Sequence, residues 1–305
     1  MKILVSGATG FIGRELIREL VRLRHNVIVL SRKAHIEFGI ENVFVQSVWW
    51  DGIKIDHTKF NTNNIDVIIN LSGESIASKR WSKKQKIKII DSRVKSTKAL
   101  IDFISKIENK PKLLINASAI GYYGNANDKL IFENFPKGNG FLPDVCEQWE
   151  NEAKKALKYN VQVAICRFGL VLGENGGVIR KIYPIFKNYF GAVIGSGKQI
   201  ISWIHLEDLI RAIIFIIDNN ISNIINFVSP EPINAEIFYK TFANSLKRPC
   251  FFKIPSFVIK LLFGQMSQTL LEGQKVFPKV LLDNNFDFKY KNINSAFSEI
   301  SKNIH

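Results

Sequence analysis

The N-terminal stretch MKILVSGATGFIGRELIREL, residues 1–20, decides the fold of this chain. Residues 3–5 are an aliphatic run long enough for one buried strand. The run breaks into Gly-Ala-Thr-Gly-Phe-Ile-Gly at residues 7–13, after which apolar side chains recur at helical spacing, at Ile12, Leu16, Ile17 and Leu20. The pattern predicts a strand, a glycine-rich turn and a helix in immediate succession.

The three glycines of this turn have separate roles. Gly7 permits a tight turn off the strand, Gly10 lets the backbone approach a pyrophosphate, and Gly13 lets the helix pack closely on the sheet. The helix N-terminus then offers free N–H groups and a partial positive charge to the phosphates. The stretch therefore predicts a dinucleotide site, with contacts from Gly7, Thr9, Gly10, Phe11, Ile12 and Gly13.

Strands and helices alternate over roughly the first half of the chain. The further strands are predicted at 26–30, 43–48, 65–71, 112–117 and 161–166, and two of the helices at 81–103 and 146–157. This alternation predicts an α/β fold with a Rossmann-like, doubly wound parallel sheet. Beyond residue 234 the pattern is mostly helical and punctuated by proline, which predicts a smaller C-terminal region that caps the substrate.

The expected division of the chain follows from this change of pattern. Residues 1–225 form the predicted nucleotide-binding domain, which includes part of a substrate lid at 174–205. Residues 226–305 form the predicted small C-terminal domain.

The residues after the second strand indicate the kind of nucleotide. Sites that prefer NAD usually carry an acid here for the ribose 2′-hydroxyl, whereas this chain has Ser31-Arg32-Lys33. A guanidinium suits a 2′-phosphate and an acid would repel it, so we expect NADP(H) in preference to NAD(H). Asp51 follows the third strand and is either an adenine contact or a plain loop acid. Leu71, Ser72 and Gly73 end the fourth strand, where cofactors pass in open sheets.

The composition narrows the class of protein. The chain has 46% hydrophobic and 23% charged residues, which is typical of a soluble globular protein. Its formal charge of +15 is spread over scattered Lys and Arg residues without a nucleic-acid-binding motif, so we expect no nucleic-acid partner. Its apolar runs are too short to span a membrane, and three cysteines make neither a disulfide framework nor a metal site by spacing. We expect a cytoplasmic protein with no membrane partner.

Several motifs together resemble an extended short-chain dehydrogenase/reductase: GATGFIG at 7–13, ASAIGYYG at 117–124, CRFGLVLG at 166–173 and WIHLEDL at 203–209. Four further stretches resemble, more narrowly, the atypical "epimerase family" group, whose members were once labelled cell-division inhibitors. They are NLSGESI at 70–76, SRVKSTKAL at 92–100, FLPDVCEQWENEA at 141–153, and the C-terminal run from SPEPINAEIF through LLEGQKVFP to FDFKY. The resemblance covers nearly the whole chain and includes that group's small C-terminal domain.

The resemblance implies a Ser, Tyr and Lys active site, and the chain departs from it. Ser118 fits the serine that steadies a carbonyl oxygen and also borders the cofactor, but Leu142 and Cys146 occupy the tyrosine and lysine positions. Glu150 fits an acid often found one helical turn later, and Arg93 stands where the family usually places an asparagine.

Three side chains are candidates to replace the missing groups. Tyr122 or Tyr123, just after Ser118, is a candidate proton donor, with core packing or pocket lining as the alternative. Cys146 becomes an activated thiolate if Arg93 and the helix N-terminus lower its pKa, and is otherwise a small buried hydrophobe.

These residues favour an NADP-dependent oxidoreductase, or epimerase-like enzyme, acting on a small hydroxyl or carbonyl substrate. The loss of the Tyr/Lys pair favours the alternative, a non-catalytic NADP(H)-binding redox sensor or regulator. The sequence does not identify the small-molecule substrate, and it is compatible with a homodimer.

Overall fold

The computed structural model describes residues 1–33, 36, 38 and 44–304. Its elements up to the central helix are β1 Lys2–Ser6, α1 Phe11–Arg22, β2 Asn26–Ser31, β3 Val45–Trp49, β4 Val67–Asn70 and α2 Lys83–Lys106. They continue with β5 Leu113–Ala119, a 3₁₀ helix at Ile120–Tyr123, β6 Asn127–Ile131, α3 Phe141–Lys154, a 3₁₀ helix at Lys155–Tyr159 and β7 Gln162–Phe168. Residue 43, where the third strand was predicted to begin, lies outside the described residues.

The second half of the chain has shorter elements. They are β8 Leu170–Leu172, α4 Ile179–Lys187, β9 Ala192–Ile194, β10 Ile200–Ile201, β11 Trp203–His205, α5 Leu206–Asp218, β12 Asn223–Phe227, β13 Ile233–Asn234 and α6 Ala235–Ser245. The last elements are β14 Phe252–Ile254, α7 Ser256–Phe263, a 3₁₀ helix at Gly264–Ser267, α8 Gln268–Leu271, β15 Gln274–Val276, α9 Lys279–Asp283 and α10 Ile293–Asn303.

Seven strands form one parallel sheet in the order β12-β7-β5-β4-β1-β2-β3. The predicted Rossmann-like, doubly wound sheet is therefore confirmed. The order reverses between β1 and β4, and in open α/β sheets the crevice at the carboxyl ends of such strands is where ligands bind.

Helices cover both faces of this sheet, and the buried residues of its central strands are accordingly mainly apolar. On one face α1 and α5 pack on strand side chains such as Val5, and on the other α2 packs on side chains such as Leu4. Successive residues of one strand thus belong to opposite cores.

The C-terminal region forms a third core. Four aromatic rings from α4, α6 and α10 meet there: Phe186, Phe238, Phe242 and Phe297. The helices predicted after residue 234 are present, but the two-stranded ladders β9–β14, β10–β13 and β6–β15 were not predicted. Each ladder joins short segments far apart in sequence, which leaves no local signal.

The predicted helix at 146–157 in fact begins earlier, at Phe141. Gly140 precedes it with φ +115°, a conformation suited to glycine, and Pro143 lies in the first turn, where its missing N–H costs no hydrogen bond. No helix within the described residues is long and apolar enough to cross a membrane.

Candidate cofactor cleft and catalytic region

The glycines between β1 and α1 are required for two different reasons. Gly7 has φ +77°, and a Cβ there would lie 2.5 Å from the carbonyl carbon of Leu71. A Cβ on Gly13 would overlap the carbonyl oxygen of Gly7. Both glycines therefore pack backbone against backbone, and a side chain at either would displace the turn.

Gly10 differs because the space above it is open. A Cβ on Gly10 would meet one atom closely, the Gly7 carbonyl oxygen at 3.3 Å, and both Gly10 and Thr9 are exposed. Gly10 is the N-cap of α1 and supplies no side-chain cap, and the first turn contains no acid. The first N–H groups of α1 thus have no side-chain acceptor among the described residues, which fits a pyrophosphate at this helix N-terminus.

Phe11 connects this cradle to the predicted lid. A Cβ on Gly176 would overlap the Phe11 ring, and Cβ atoms on Gly173 and Gly177 would lie 3.0 and 3.3 Å from it. The glycine-rich loop after β8 therefore closes onto the first turn of α1.

Of Ser31, Arg32 and Asp51, the residues predicted to bind the adenosine half, Arg32 is the one whose side chain has no hydrogen bond to another described residue. Ser31 is buried, and its hydroxyl accepts a hydrogen bond from the Lys33 N–H. Asp51 accepts from the N–H groups of Ile53 and Lys54, and those bonds hold its pKa below the usual range, as in an ordinary loop turn. Arg32 is exposed and has no acidic partner among the described residues.

A buried amide network at the strand ends was missed by sequence reasoning. The Asn70 amide oxygen accepts from Ser6 at 2.8 Å, and its NH₂ group donates to Thr97 at 2.8 Å and to the Asn116 side-chain oxygen at 2.7 Å. The Ser72 N–H donates to the same Asn70 oxygen. The available signal was an asparagine closing each of the apolar runs VIIN and LLIN.

Ser118 lies at the end of β5, as predicted, but its hydroxyl proton is already used in a hydrogen bond. Its hydroxyl donates to the Glu150 carboxylate at 2.7 Å, and the Arg167 guanidinium makes two bonds of 2.8 Å to the same carboxylate. The Arg167 and Glu150 side chains are both 1% exposed. Burial disfavours the Arg167 charge, yet the bonds and charge of Glu150 keep its pKa raised.

The two candidate tyrosines occupy different environments. Tyr123 is buried and donates to the Asn226 side chain at 2.7 Å, and burial raises its pKa to about 12. Tyr122 is half-buried, with the Arg167 guanidinium carbon 3.5 Å from its ring centroid. Tyr123 is therefore a core residue, and Tyr122 is the more accessible of the two.

The structure argues against Cys146 as an activated thiolate. Burial and the nearby Glu150 charge raise the pKa of Cys146 to about 11, despite the opposing Arg93 charge. The Arg93 guanidinium instead donates to the carbonyl oxygens of Glu74 and Ile89 at 2.9 and 3.1 Å. Cys146 is thus a small buried side chain, and Arg93 fixes the loop after β4.

The WIHLEDL motif anchors the C-terminal region to α5. The buried Asp208 carboxylate accepts from the N–H groups of Lys289 and Tyr290, which belong to the FDFKY motif. His205 caps α5 by accepting from the Glu207 N–H, while its Nε2 is buried without a partner among the described residues. These contacts hold the C-terminal region against α5.

Comparison with known proteins agrees with this arrangement. Residues 3–227 match the model of the NAD dependent epimerase/dehydratase family, and residues 254–300 match a domain of unknown function, DUF1731. The chain is 36% identical over 306 residues to an Arabidopsis thaliana protein named "Epimerase family protein SDR39U1 homolog, chloroplastic", covering 98% of this chain and 86% of the relative. It is 34% identical to an epimerase family protein of Staphylococcus aureus, covering 97% and 98% of the two chains.

A crystal structure of human epimerase family protein SDR39U1 with NADPH superimposes with a TM-score of 0.89 over the whole of both chains, at 29% identity. A UDP-glucuronic acid 4-epimerase from Bacillus cereus shares the fold at 17% identity, with a TM-score of 0.78 over 99% of this chain and 98% of that one. The predicted resemblance is confirmed: this chain belongs to the NAD-dependent epimerase/dehydratase family and carries that group's DUF1731 C-terminal domain.

Proposed function

We propose that this protein binds NADP(H) and acts as an oxidoreductase on a small hydroxyl- or carbonyl-bearing substrate. The observation that carries the proposal is the uncapped N-terminus of α1 above Gly10, an anion site at the carboxyl edge of the sheet. The human relative of the same overall fold was solved with NADPH.

The preference for NADP(H) rests on Arg32. It follows β2, where the ribose 2′-position lies in sites of this kind, and it has no acidic partner among the described residues. A planar guanidinium matches a phosphate with two parallel hydrogen bonds, which NAD(H) does not offer at that position.

The bound dinucleotide would supply hydride at the nicotinamide C4 position. The chain's own contribution is to orient the substrate and hold a proton near its oxygen. Of the candidate side chains, Tyr122 is the best suited to donate a proton. Its ring is held against Arg167, and its phenol has no hydrogen-bond partner among the described residues. The Ser118 hydroxyl donates its proton to Glu150, so we assign Ser118 a positioning role at the edge of the cleft and not a role as proton donor.

Deuterium transfer tests the reaction. The protein is incubated with [4-²H]NADPH, each hydride face labelled in turn, and a small-molecule extract. We expect label in one metabolite, lost with Tyr122→Phe and retained with Tyr159→Phe, a tyrosine whose ring lies at the opposite end of α3 beside Lys110.

A second candidate function, a non-catalytic NADP(H) sensor, is favoured by one observation. Leu142 and the protonated Cys146 stand where the family's tyrosine and lysine are expected. NADPH binding without label transfer, and without a transient change in absorbance at the nicotinamide band on mixing with extract, would support the sensor and count against the enzyme.

A further inference from the structure

Exposed aromatic side chains gather on one face of the C-terminal region. Phe190 follows α4 and is 70% exposed. Phe252 begins β14 and Phe251 directly precedes it, and they are 60% and 85% exposed. The β9–β14 ladder pairs Phe252 with Ala192, which places Phe190 beside the start of β14. We call Tyr189, Phe190, Phe251 and Phe252 the aromatic face.

Helix α7, which follows β14, also carries exposed apolar side chains. Phe257 and Leu261 lie one turn apart on α7 and are 71% and 74% exposed. Single exposed apolar residues are ordinary, but a concentration of large ones on consecutive segments marks an interaction surface.

Basic side chains lie beside the aromatic face. A hollow of about 520 Å³ is lined by Lys240, Arg248 and Lys253 together with Phe251 and Phe252. The Arg248 guanidinium lies 4.6 Å from the Tyr189 ring centroid.

The charges in the hollow do not cancel. Glu236 pairs with Lys240 at 2.6 Å and with Lys253 at 3.8 Å. Arg248 donates to the carbonyl oxygens of Lys187 and Lys247 and has no acidic partner within the described residues. Lys240 and Lys253 thus share the one carboxylate of Glu236, and Arg248 adds a third positive charge, so the hollow is positively charged.

We propose that this face docks on an anionic phospholipid surface, with the phenylalanines inserted at the headgroup level and the lysines and Arg248 against lipid phosphates. Aromatic side chains flanked by Lys and Arg bind the interface of anionic bilayers without spanning them. This proposal departs from the sequence-based expectation of no membrane partner. That expectation rested on the absence of a membrane-spanning run, whereas a contact at the bilayer surface needs none.

Two features favour lipid over a second copy of the chain. A symmetric dimer through this face would bring the two positive hollows together and repel. Phe251, which is 85% exposed, protrudes from the surface and can insert at the headgroup level.

Vesicle co-sedimentation tests the proposal. Full-length protein is spun with phosphatidylcholine vesicles and with vesicles containing phosphatidylglycerol at one-third of the lipid. We expect pelleting only with the anionic vesicles, and a decrease as salt screens the charges.

Two variants separate the contributions. The double variant Phe251→Ser/Phe252→Ser removes the insertion and should abolish pelleting. Arg248→Gln/Lys253→Gln should weaken partitioning by about fivefold for each basic side chain removed. Leu157→Ser, which replaces an exposed apolar residue on the α3 side of the sheet, is the matched control and should pellet like the wild type.

The proposal is overturned by either of two results. One is that folded protein, verified by circular dichroism, stays in the supernatant with anionic vesicles at low salt. The other is self-association in analytical ultracentrifugation that the Phe251→Ser/Phe252→Ser variant removes, which would assign the face to a second copy.

Discussion

Ser118 and Glu150 are joined by a 2.7 Å hydrogen bond in which the serine hydroxyl donates to a carboxylate that also binds Arg167. The bond connects the end of β5 to the middle of α3. Ser118, which the family resemblance assigned to catalysis, is therefore part of a buried network with Glu150 and Arg167.

That network predicts a large effect of Glu150 on stability. Glu150→Ala leaves the buried Arg167 charge unpaired and should reduce the free energy of unfolding by roughly 3–5 kcal/mol. Urea denaturation measures the change. Glu147→Ala, three residues earlier on α3, breaks only an exposed pair with Lys137 and should cost less than about 1 kcal/mol. Equal losses for both variants would contradict a buried ion pair.

Substitution at Gly10 should separate binding from folding. Gly10→Val places a side chain in the open space above α1, so we expect a folded protein that no longer binds NADPH by isothermal titration calorimetry. Gly13→Ala is the matched comparison, because its Cβ overlaps the Gly7 backbone and should lower the melting temperature instead. Normal NADPH binding by folded Gly10→Val would contradict the proposal that the pyrophosphate binds above Gly10.

Arg32 should discriminate between the two dinucleotides. Removal of a charge-assisted bond to the 2′-phosphate in Arg32→Ala should weaken NADPH binding by about tenfold or more and leave NADH binding nearly unchanged. Lys158→Ala removes an exposed cation far from β2 and controls for net charge. The same loss for NADPH and NADH would rule out a 2′-phosphate contact.

Cysteine reactivity should follow burial. Burial raises the pKa of Cys146 to about 11, so its thiol is protonated at pH 8 and should resist iodoacetamide in the native protein. The half-buried Cys250 should be alkylated first. Peptide mass spectrometry reads both sites, with denatured protein as the reference. Rapid native modification of Cys146 would restore the thiolate hypothesis.

His205 should make the protein less stable in acid. Burial lowers the pKa of His205 to about 4, whereas the imidazole in the unfolded chain has its ordinary pKa of about 6.5. The unfolded state therefore gains protons first as pH falls through this window, at a cost to folding of about 3 kcal/mol at most. Chemical denaturation from pH 8 to 4.5 should show a shallower decline for His205→Gln than for the wild type. If the free energy of unfolding falls equally with pH in both proteins, a group other than His205 is responsible for the loss of stability in acid.

The sequence by itself determined the sheet and the glycine-rich turn between β1 and α1. The apolar runs, the glycines at 7–13 and the alternation of strand and helix are local patterns, since each follows from the conformation or burial of neighbouring residues. The resemblance motifs added the family, and the positions of Leu142 and Cys146 already showed that the usual Tyr/Lys pair is absent.

Tertiary structure alone decided which candidate side chains are free to act. The sequence cannot show that Glu150 and Arg167 engage Ser118, that Tyr123 reaches Asn226, or that burial keeps Cys146 protonated. These facts depend on contacts between segments 17 to 103 residues apart, and on the local dielectric that such packing creates. Local pattern fixes backbone shape, whereas the proton held by each side chain is set by neighbours that only the folded chain brings together.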